Sequence, residues 1–162
     1  SSSGLYLNVS DLYEINSGKI SFDIENKNIE INRFQFVPKY THKELEKKNK
    51  YNISEFELET KKLQIDGFQF NKLINFGEIK IKKVTVSDNT LSIYNNKNKP
   101  FPPKKEKKLW ASLLKNIPIK GTIDTLICDN SSILIQEKSK HTQKVSKLFF
   151  ENMQAKIIGI ER

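Results

Sequence analysis

The chain has 162 residues, with 28 basic against 19 acidic side chains, for a net charge of +9. That length holds one ordinary domain or several small repeats sharing a core; 36% hydrophobic residues is too many for a disordered tail, and the longest apolar runs are far short of a membrane span. Arg33 and Arg162 are the only arginines, so the charge is almost all lysine. Without the forked guanidinium groups that read guanine edges and clasp phosphates, the charge points to a composition rich in Lys, Asn and Ile and not to nucleic acid.

The chain opens on Ser1-Ser2-Ser3-Gly4, with neither an initiator methionine nor a signal peptide, and reads as an internal fragment of a longer protein. Strict alternation then dominates. Phe22 and Ile24 alternate with polar neighbours, Glu25 to Asn28 makes a turn, and Ile29 and Ile31 alternate again. This predicts a hairpin with one apolar and one wet face. Phe34 and Phe36 follow after a one-residue slip at Asn32-Arg33, which moves the apolar set to the other face unless a bulge absorbs it. Pro38 ends the run. Thr41 to Lys50 is charged, suits a short exposed helix or a loop, and has Leu45 as its only apolar residue, so it buries little.

The pattern returns 34 residues later, with Phe56 and Leu58 for Phe22 and Ile24, Leu63 and Ile65 for Ile29 and Ile31, and Phe68-Gln69-Phe70 for Phe34-Gln35-Phe36. A match this long is a repeat signal, in which a hairpin with one sticky face stacks on the next. A second pair of units lies 42 residues apart. Val84 and Val86 lead through a predicted turn at Ser87-Asp88-Asn89-Thr90 to Leu91 and Ile93. Leu126 and Cys128 lead through Asp129-Asn130-Ser131-Ser132 to Ile133 and Ile135. Ile79 and Ile81 supply a strand before the first unit, and Leu148, Phe150, Ala155, Ile157 and Ile160 supply the last strands, with a break at Asn152. Between the units, the stretch from Lys97 to Lys108 holds Pro100, Pro102 and Pro103 and is extended or irregular. A short amphipathic helix is predicted over 107–116, where Leu109 stacks on Leu113 and Trp110 on Leu114, and Pro118 stops it. The chain thus divides into β-hairpin repeats over 1–96, a Pro/Lys-rich linker and helix over 97–118, and a further β-hairpin repeat over 119–162. The fold class is mainly β: repeated antiparallel hairpins forming an elongated curved sheet or open β-groove.

Chemistry is sparse. His42 and His141 sit far apart in lysine-rich polar stretches, read as solvated surface histidines, and neither has metal-ligand spacing. There is no Gly-rich phosphate loop. The carboxylates lie scattered on wet faces, and Asp66 and Asp124 sit near strand ends where turn geometry accounts for them. Cys128, the single cysteine, can form no intramolecular disulfide and reads as a small buried apolar residue. No converging set suits catalysis, a metal or a cofactor.

The stretch Ile117-Pro118-Ile119-Lys120-Gly121-Thr122-Ile123-Asp124-Thr125-Leu126, continuing through Asp129-Asn130-Ser131-Ser132-Ile133 and Leu148-Phe149-Phe150-Glu151-Asn152-Met153, resembles the AsmA-like family, the bacterial bridge-like lipid-transfer proteins. The motifs are short and it is their order along nearly the whole chain that carries the resemblance. It implies a long curved sheet folded into a trough for lipid acyl chains. It implies a periplasmic location, anchored to the inner membrane in the full-length protein, and a part in phospholipid transport or outer-membrane homeostasis. It brings no catalytic residues and no cofactor. The expected partners are phospholipid acyl chains, with an anionic membrane surface or envelope proteins beside them, and no nucleic acid. The candidate lipid-binding residues follow from alternation: Phe22, Ile24, Ile29, Ile31, Phe34, Phe36, Phe56, Leu58, Leu63, Ile65, Phe68, Phe70, Val84, Val86, Leu91 and Ile93. The same face serves equally well as an ordinary core buried against a second layer. The alternative function is a structural or adaptor protein of the envelope that binds a partner through exposed strand edges.

Overall fold

Alternating apolar residues need a sheet with one face turned from water, and the chain builds one. A computed structural model describes residues 4–101 and 120–161. The elements in order are β1 (Tyr6–Asn8), β2 (Tyr13–Ser17), β3 (Ile20–Asp23), β4 (Asn28–Pro38), α1 (His42–Lys48), β5 (Glu55–Asp66), α2 (Phe70–Phe76), β6 (Glu78–Asn96), β7 (Lys120–Lys138) and β8 (Val145–Glu161). All eight strands join one sheet in the order β1-β2-β4-β5-β6-β7-β8, with β3 beside β4 where β2 stops. The sheet is open and curved, and does not close into a barrel. The helix predicted over 107–116, Trp110 included, lies outside the described residues.

The first predicted hairpin forms. Asp23 closes its turn by accepting the Asn26 backbone N–H at 3.0 Å and the Asn26 side-chain amide at 2.8 Å, and β3 pairs with β4. The other three predicted hairpins do not form. Phe56 to Ile65 is the single strand β5, Val84 to Ile93 lies within β6, and Leu126 to Ile135 lies within β7. Each apolar pair is separated from the next by an odd step. A tight turn satisfies an odd step, but so does one extra residue inside a continuous strand. Asp88 (φ +52) and Asn130 (φ +47) take that second course, in the left-handed region that Asn and Asp tolerate best. Arg33 (φ +52) sits at the slip in β4, where pairing with β5 skips one residue and resumes in the same register, so both strands shift together and no bulge is needed; β8 is one strand with positive φ at Asn152 (+55) and Gly159 (+72).

The 34-residue match is therefore a match of pattern between unlike structures, a turn in one copy and a strand interior in the other. Phe68-Gln69-Phe70 departs further: Gln69 precedes the first turn of α2, which Phe70 begins. The 42-residue offset has a direct structural meaning. β6 and β7 pair in parallel, with Glu78 opposite Lys120, Val84 opposite Leu126 and Asn96 opposite Lys138, an offset of 42 throughout. Like positions of two like strands lie side by side.

The helices join strands at opposite ends of the sheet. α1 carries a capping box: Thr41 Oγ1 accepts the Glu44 N–H at 3.4 Å, and the Glu44 carboxylate accepts the Thr41 N–H at 2.9 Å. Leu45, read as burying little, is the most deeply buried side chain described, at 1% exposure. Sequence could not show this, because a single apolar residue on a short helix gains a buried place only where the fold supplies a socket. α2 ends on Gly77 at φ +64, whose N–H reaches the Leu73 carbonyl at 3.0 Å. The buried core gathers at the α2 end, where Ile20, Ile29, Phe68, Ile81 and Val84 pack together.

Candidate functional site

The apolar side chains fall into rows running across the strands, because partners in register lie on the same face. Two rows occupy the α1 half of the sheet. One runs Ile15–Phe36–Leu58–Leu91–Ile133–Phe150. The other runs Phe56–Ile93–Ile135–Leu148 beside Pro38 and Tyr13, whose ring stacks on Phe36 at 4.8 Å. Two more occupy the α2 half: Ile20–Ile31–Leu63–Val86–Cys128–Ala155 and Phe22–Ile29–Ile65–Val84–Leu126–Ile157. The two halves share a face because β4 to β8 shift their alternation at one level; β6, β7 and β8 shift once more at Lys82, Asp124 and Gly159.

That level is a polar seam. It passes Gly18, Arg33, Lys61, Asp88, Asn130 and Asn152, each at the break in its strand's pairing or alternation. At Gly18 the chains approach closely: its N–H reaches the Asn32 carbonyl at 2.8 Å, and a Cβ there would stand 2.8 Å from that oxygen. On the apolar face the seam shows as Phe34–Thr60–Asn89–Ser131–Met153. Thr60, Asn89 and Ser131 are all buried. The Thr60 hydroxyl donates to the Ser87 carbonyl at 2.9 Å, and Asn89 Nδ2 donates to Ser131 Oγ at 2.7 Å, so these buried polar atoms are satisfied.

Of the sixteen candidate residues, the structure brings most onto this face. Phe22, Ile29, Ile31, Leu63, Ile65, Val84 and Val86 lie in the α2 half; Phe36, Phe56, Leu58, Leu91 and Ile93 lie in the α1 half; Phe34 lies on the seam. Ile24 is not among them. It sits in the β3–β4 turn at 73% exposure, because the turn begins one residue earlier than alternation alone suggests. Phe68 and Phe70 are not lining residues of a strand either. They meet edge to face at 4.7 Å over the α2 half and help to close it.

The halves therefore differ. Over the α2 half lies the packed cluster with Phe68. In the α1 half, Phe36, Leu58, Leu91 and Ile133 are half-buried through their neighbours alone, and no second sheet lies above them among the described residues. The rows there run on to β8, where Leu148 and Phe150 are exposed. Six strands at about 4.8 Å spacing make such a row about 24 Å long.

Over β4 to β6 the opposite face is mostly polar, whereas over β7 and β8 it also carries Ile127, Leu134, Phe149 and Ile158. At the seam it holds a concavity of about 500 Å³ lined by Arg33, Gln35, Glu59, Lys61, Asp88 and Thr90. Gln35 donates to Glu59 at 2.7 Å, Lys61 stands 3.8 Å from Asp88, and Asn130 donates to Asp88. Two cations face two carboxylates, so the hollow has no net pull on an anion.

At the α1 end of the polar face sits a group that sequence reasoning missed. His42 is exposed at the surface, as read, yet it also bonds through Nδ1 to the buried Glu55 carboxylate at 2.5 Å and stacks on Tyr94 at 4.4 Å. Burial pushes the Glu55 carboxyl above its ordinary range, and the His42 contact only partly offsets this. Glu46 accepts from the Tyr94 hydroxyl at 2.9 Å and from Asn96 Nδ2 at 2.8 Å. Burial, with that bond to Glu46, pushes the Tyr94 hydroxyl up to about 12. Lys99 donates to the backbone carbonyls of Glu46 and Asn49 at the end of α1. These contacts fasten α1 to the sheet. The capping box was the one sequence signal: it places His42 at the first helical position, yet nothing local pairs it with Glu55. Among the described residues no three His, Cys, Asp or Glu side chains gather as a metal site, and no helix is long and apolar enough to cross a membrane.

Comparison with known protein families, with curated proteins and with solved structures finds no match.

Proposed function

We propose that this chain is a lipid-conduit segment of a periplasmic envelope protein, in which acyl chains lie along the open apolar rows of the α1 half. One observation carries the reading: two apolar rows cross the sheet from β2 to β8 with no second sheet above them among the described residues. The mechanism is passive. Each methylene withdrawn from water contributes about 0.8 kcal/mol, so a partly covered chain is held without a closed pocket. Head groups stay at the wet rim, where lysines on the strand ends meet anionic lipid or an anionic membrane surface. The resemblance to the AsmA-like family supports the same reading, including the periplasmic site and an inner-membrane anchor elsewhere in the full-length protein.

Native mass spectrometry of protein purified without detergent tests it. Co-purifying phospholipid is expected, and Leu91→Gln, at the middle of an open row, should lower the lipid-to-protein ratio several-fold with the fold intact. Protein that carries no lipid and takes up none from vesicles would defeat the proposal.

A second reading is favoured by a different observation: among the described residues no strand pairs with the second edge of β8, on which a partner strand can add. In that case the chain is a structural or adaptor protein, and a fixed protein partner, without lipid, should co-purify.

A further inference from the structure

Arginine is rare in this chain, and Arg33 is the one arginine among the described residues. Its backbone stands at φ +52. The other seam residues at positive φ, Asp88, Asn130 and Asn152, are of the types that tolerate the left-handed region, and arginine is not. An outlier of this kind marks a position held for what its side chain does. Yet the Arg33 guanidinium makes no hydrogen bond and no ion pair with any described residue.

Arg33 lines the hollow of about 500 Å³ on the polar face, a volume in the range of small-molecule sites. The central strands β4, β5 and β6 build it, each paired on both sides, so its walls depend on neither edge of the sheet. Most of its charged atoms are already engaged. Asp88 has Lys61 at 3.8 Å from one oxygen and the Asn130 amide on the other. Glu59 lies between Gln35 of β4 and Thr90 of β6 and accepts Gln35 Nε2 at 2.7 Å through Oε1. Glu59 Oε2 accepts no hydrogen bond from a described residue. Opposite charges are thus left uncommitted in one hollow: the Arg33 fork and the second oxygen of Glu59. They stand diagonally across β4 and β5, since Gln35 is the register partner of Glu59 and Arg33 is the next residue on the same face. Diagonal neighbours are about 7–8 Å apart, which leaves room for a small group between the two side chains.

We propose that this hollow binds a small zwitterion, with its oxyanion on the Arg33 fork and its ammonium group on Glu59 Oε2. The charge balance fits such a ligand. A hollow in which Arg33 and Lys61 face Glu59 and Asp88 has no net pull on a simple anion or a simple cation, but fixed charges of both signs match a molecule that carries both. The choice of arginine fits as well, because a planar fork takes both oxygens of a carboxylate or phosphate at once, and a lysine does not. This chemistry has two sources, a free α-amino acid and the phosphoethanolamine head group of a lipid. The site lies on the face opposite the apolar rows and is independent of the lipid-conduit reading.

Calorimetric titration of the purified chain tests this, with free α-amino acids and O-phosphoethanolamine as probes and with acetate, inorganic phosphate and methylammonium as half-ligands. At least one zwitterion should bind at least about tenfold more tightly than any half-ligand, and the class that binds more tightly identifies the source. Arg33→Lys keeps the charge and loses the fork, while Glu59→Gln keeps the shape and loses the charge; each should weaken that probe at least about tenfold. Arg33→Asn supplies the residue that the seam uses elsewhere at positive φ. It should abolish binding and melt at or above the temperature of the parent. The proposal is overturned if no zwitterion binds below about 10 mM, or if a half-ligand binds as tightly. It is overturned equally if Arg33→Lys or Glu59→Gln binds undiminished. An Arg33→Asn protein that melts below the parent would give Arg33 a structural role in place of the site.

Discussion

His42 and Glu55 show how much of a residue's chemistry depends on a neighbour far away in sequence. The Glu55 carboxyl is raised chiefly by burial, and the His42 contact works against that shift without cancelling it. A group whose folded value is raised binds its proton more tightly in the native state. Its stabilising contribution is therefore complete at low pH and is lost as pH rises through the raised value. Glu55→Gln removes this titration. Its stability relative to the parent should shift in its favour as pH is raised through and above the ordinary carboxylate range, because the raised carboxyl releases its proton there. Urea unfolding at several pH values reads this, and a difference that stays flat or runs the other way would show that Glu55 is not held as the structure has it. His42, Glu46 and Lys99 also face this carboxylate, and they are unchanged in the comparison.

At the level of elements, the seam is the organising feature. An isolated bulge bends one strand; here Arg33, Asp88, Asn130 and Asn152 break their strands at one level, so pairing resumes on both sides and the apolar face continues across the break. The buried polar row of Thr60, Asn89 and Ser131 is the cost of the shift, and it is met by internal hydrogen bonds. Deleting Asn130 restores simple alternation through β7. That turns Ile133 and Ile135 to the polar face or forces β7 to slip against β6 by one residue. The deletion should abolish cooperative unfolding, or lower stability by more than about 3 kcal/mol, as expected for lost core packing. A variant that melts like the parent would mean that the seam does not set the register. The repeated turn signals at Ser87–Thr90 and Asp129–Ser132 were legible in the sequence, and the residues at fault were the right ones. Their outcome was not legible, because Asn and Asp at positive φ serve a turn and a kink inside a continuous strand equally well.

For the whole molecule, stability should be graded along the sheet. β6 lies between β5 and β7 and carries Ile81, Val84 and Tyr94 as buried residues, whereas β8 is exposed over most of its length. Hydrogen exchange of dilute protein should therefore find the slowest amides at the centre of β6 and the fastest strand amides in β1 and on β8. Equal protection of β8 and β6 at low concentration would mean that the edge is covered. The parallel pairing of β6 with β7 is the feature on which the whole sheet turns. It requires the chain to return to the α2 end after Asn96, and it sets like rows beside like.

Alternation by itself determined that the fold would be a sheet with an apolar face, most of the strand residues that lie on that face, and the level at which β4 to β7 change their alternation. Those properties depend on the two-residue period of a strand and on neighbours close in sequence. Only the tertiary structure decided that three predicted turns were strand interiors, that the 42-residue offset was a parallel register, that Leu45 had a socket and His42 a buried carboxylate partner, and that Phe68 and Phe70 closed one half of the face while the other stayed open. An odd step in a pattern says that the chain must shift face but not how. The choice rests with strands that lie dozens of residues away, whose edges either accept a continuous partner or leave room for a turn.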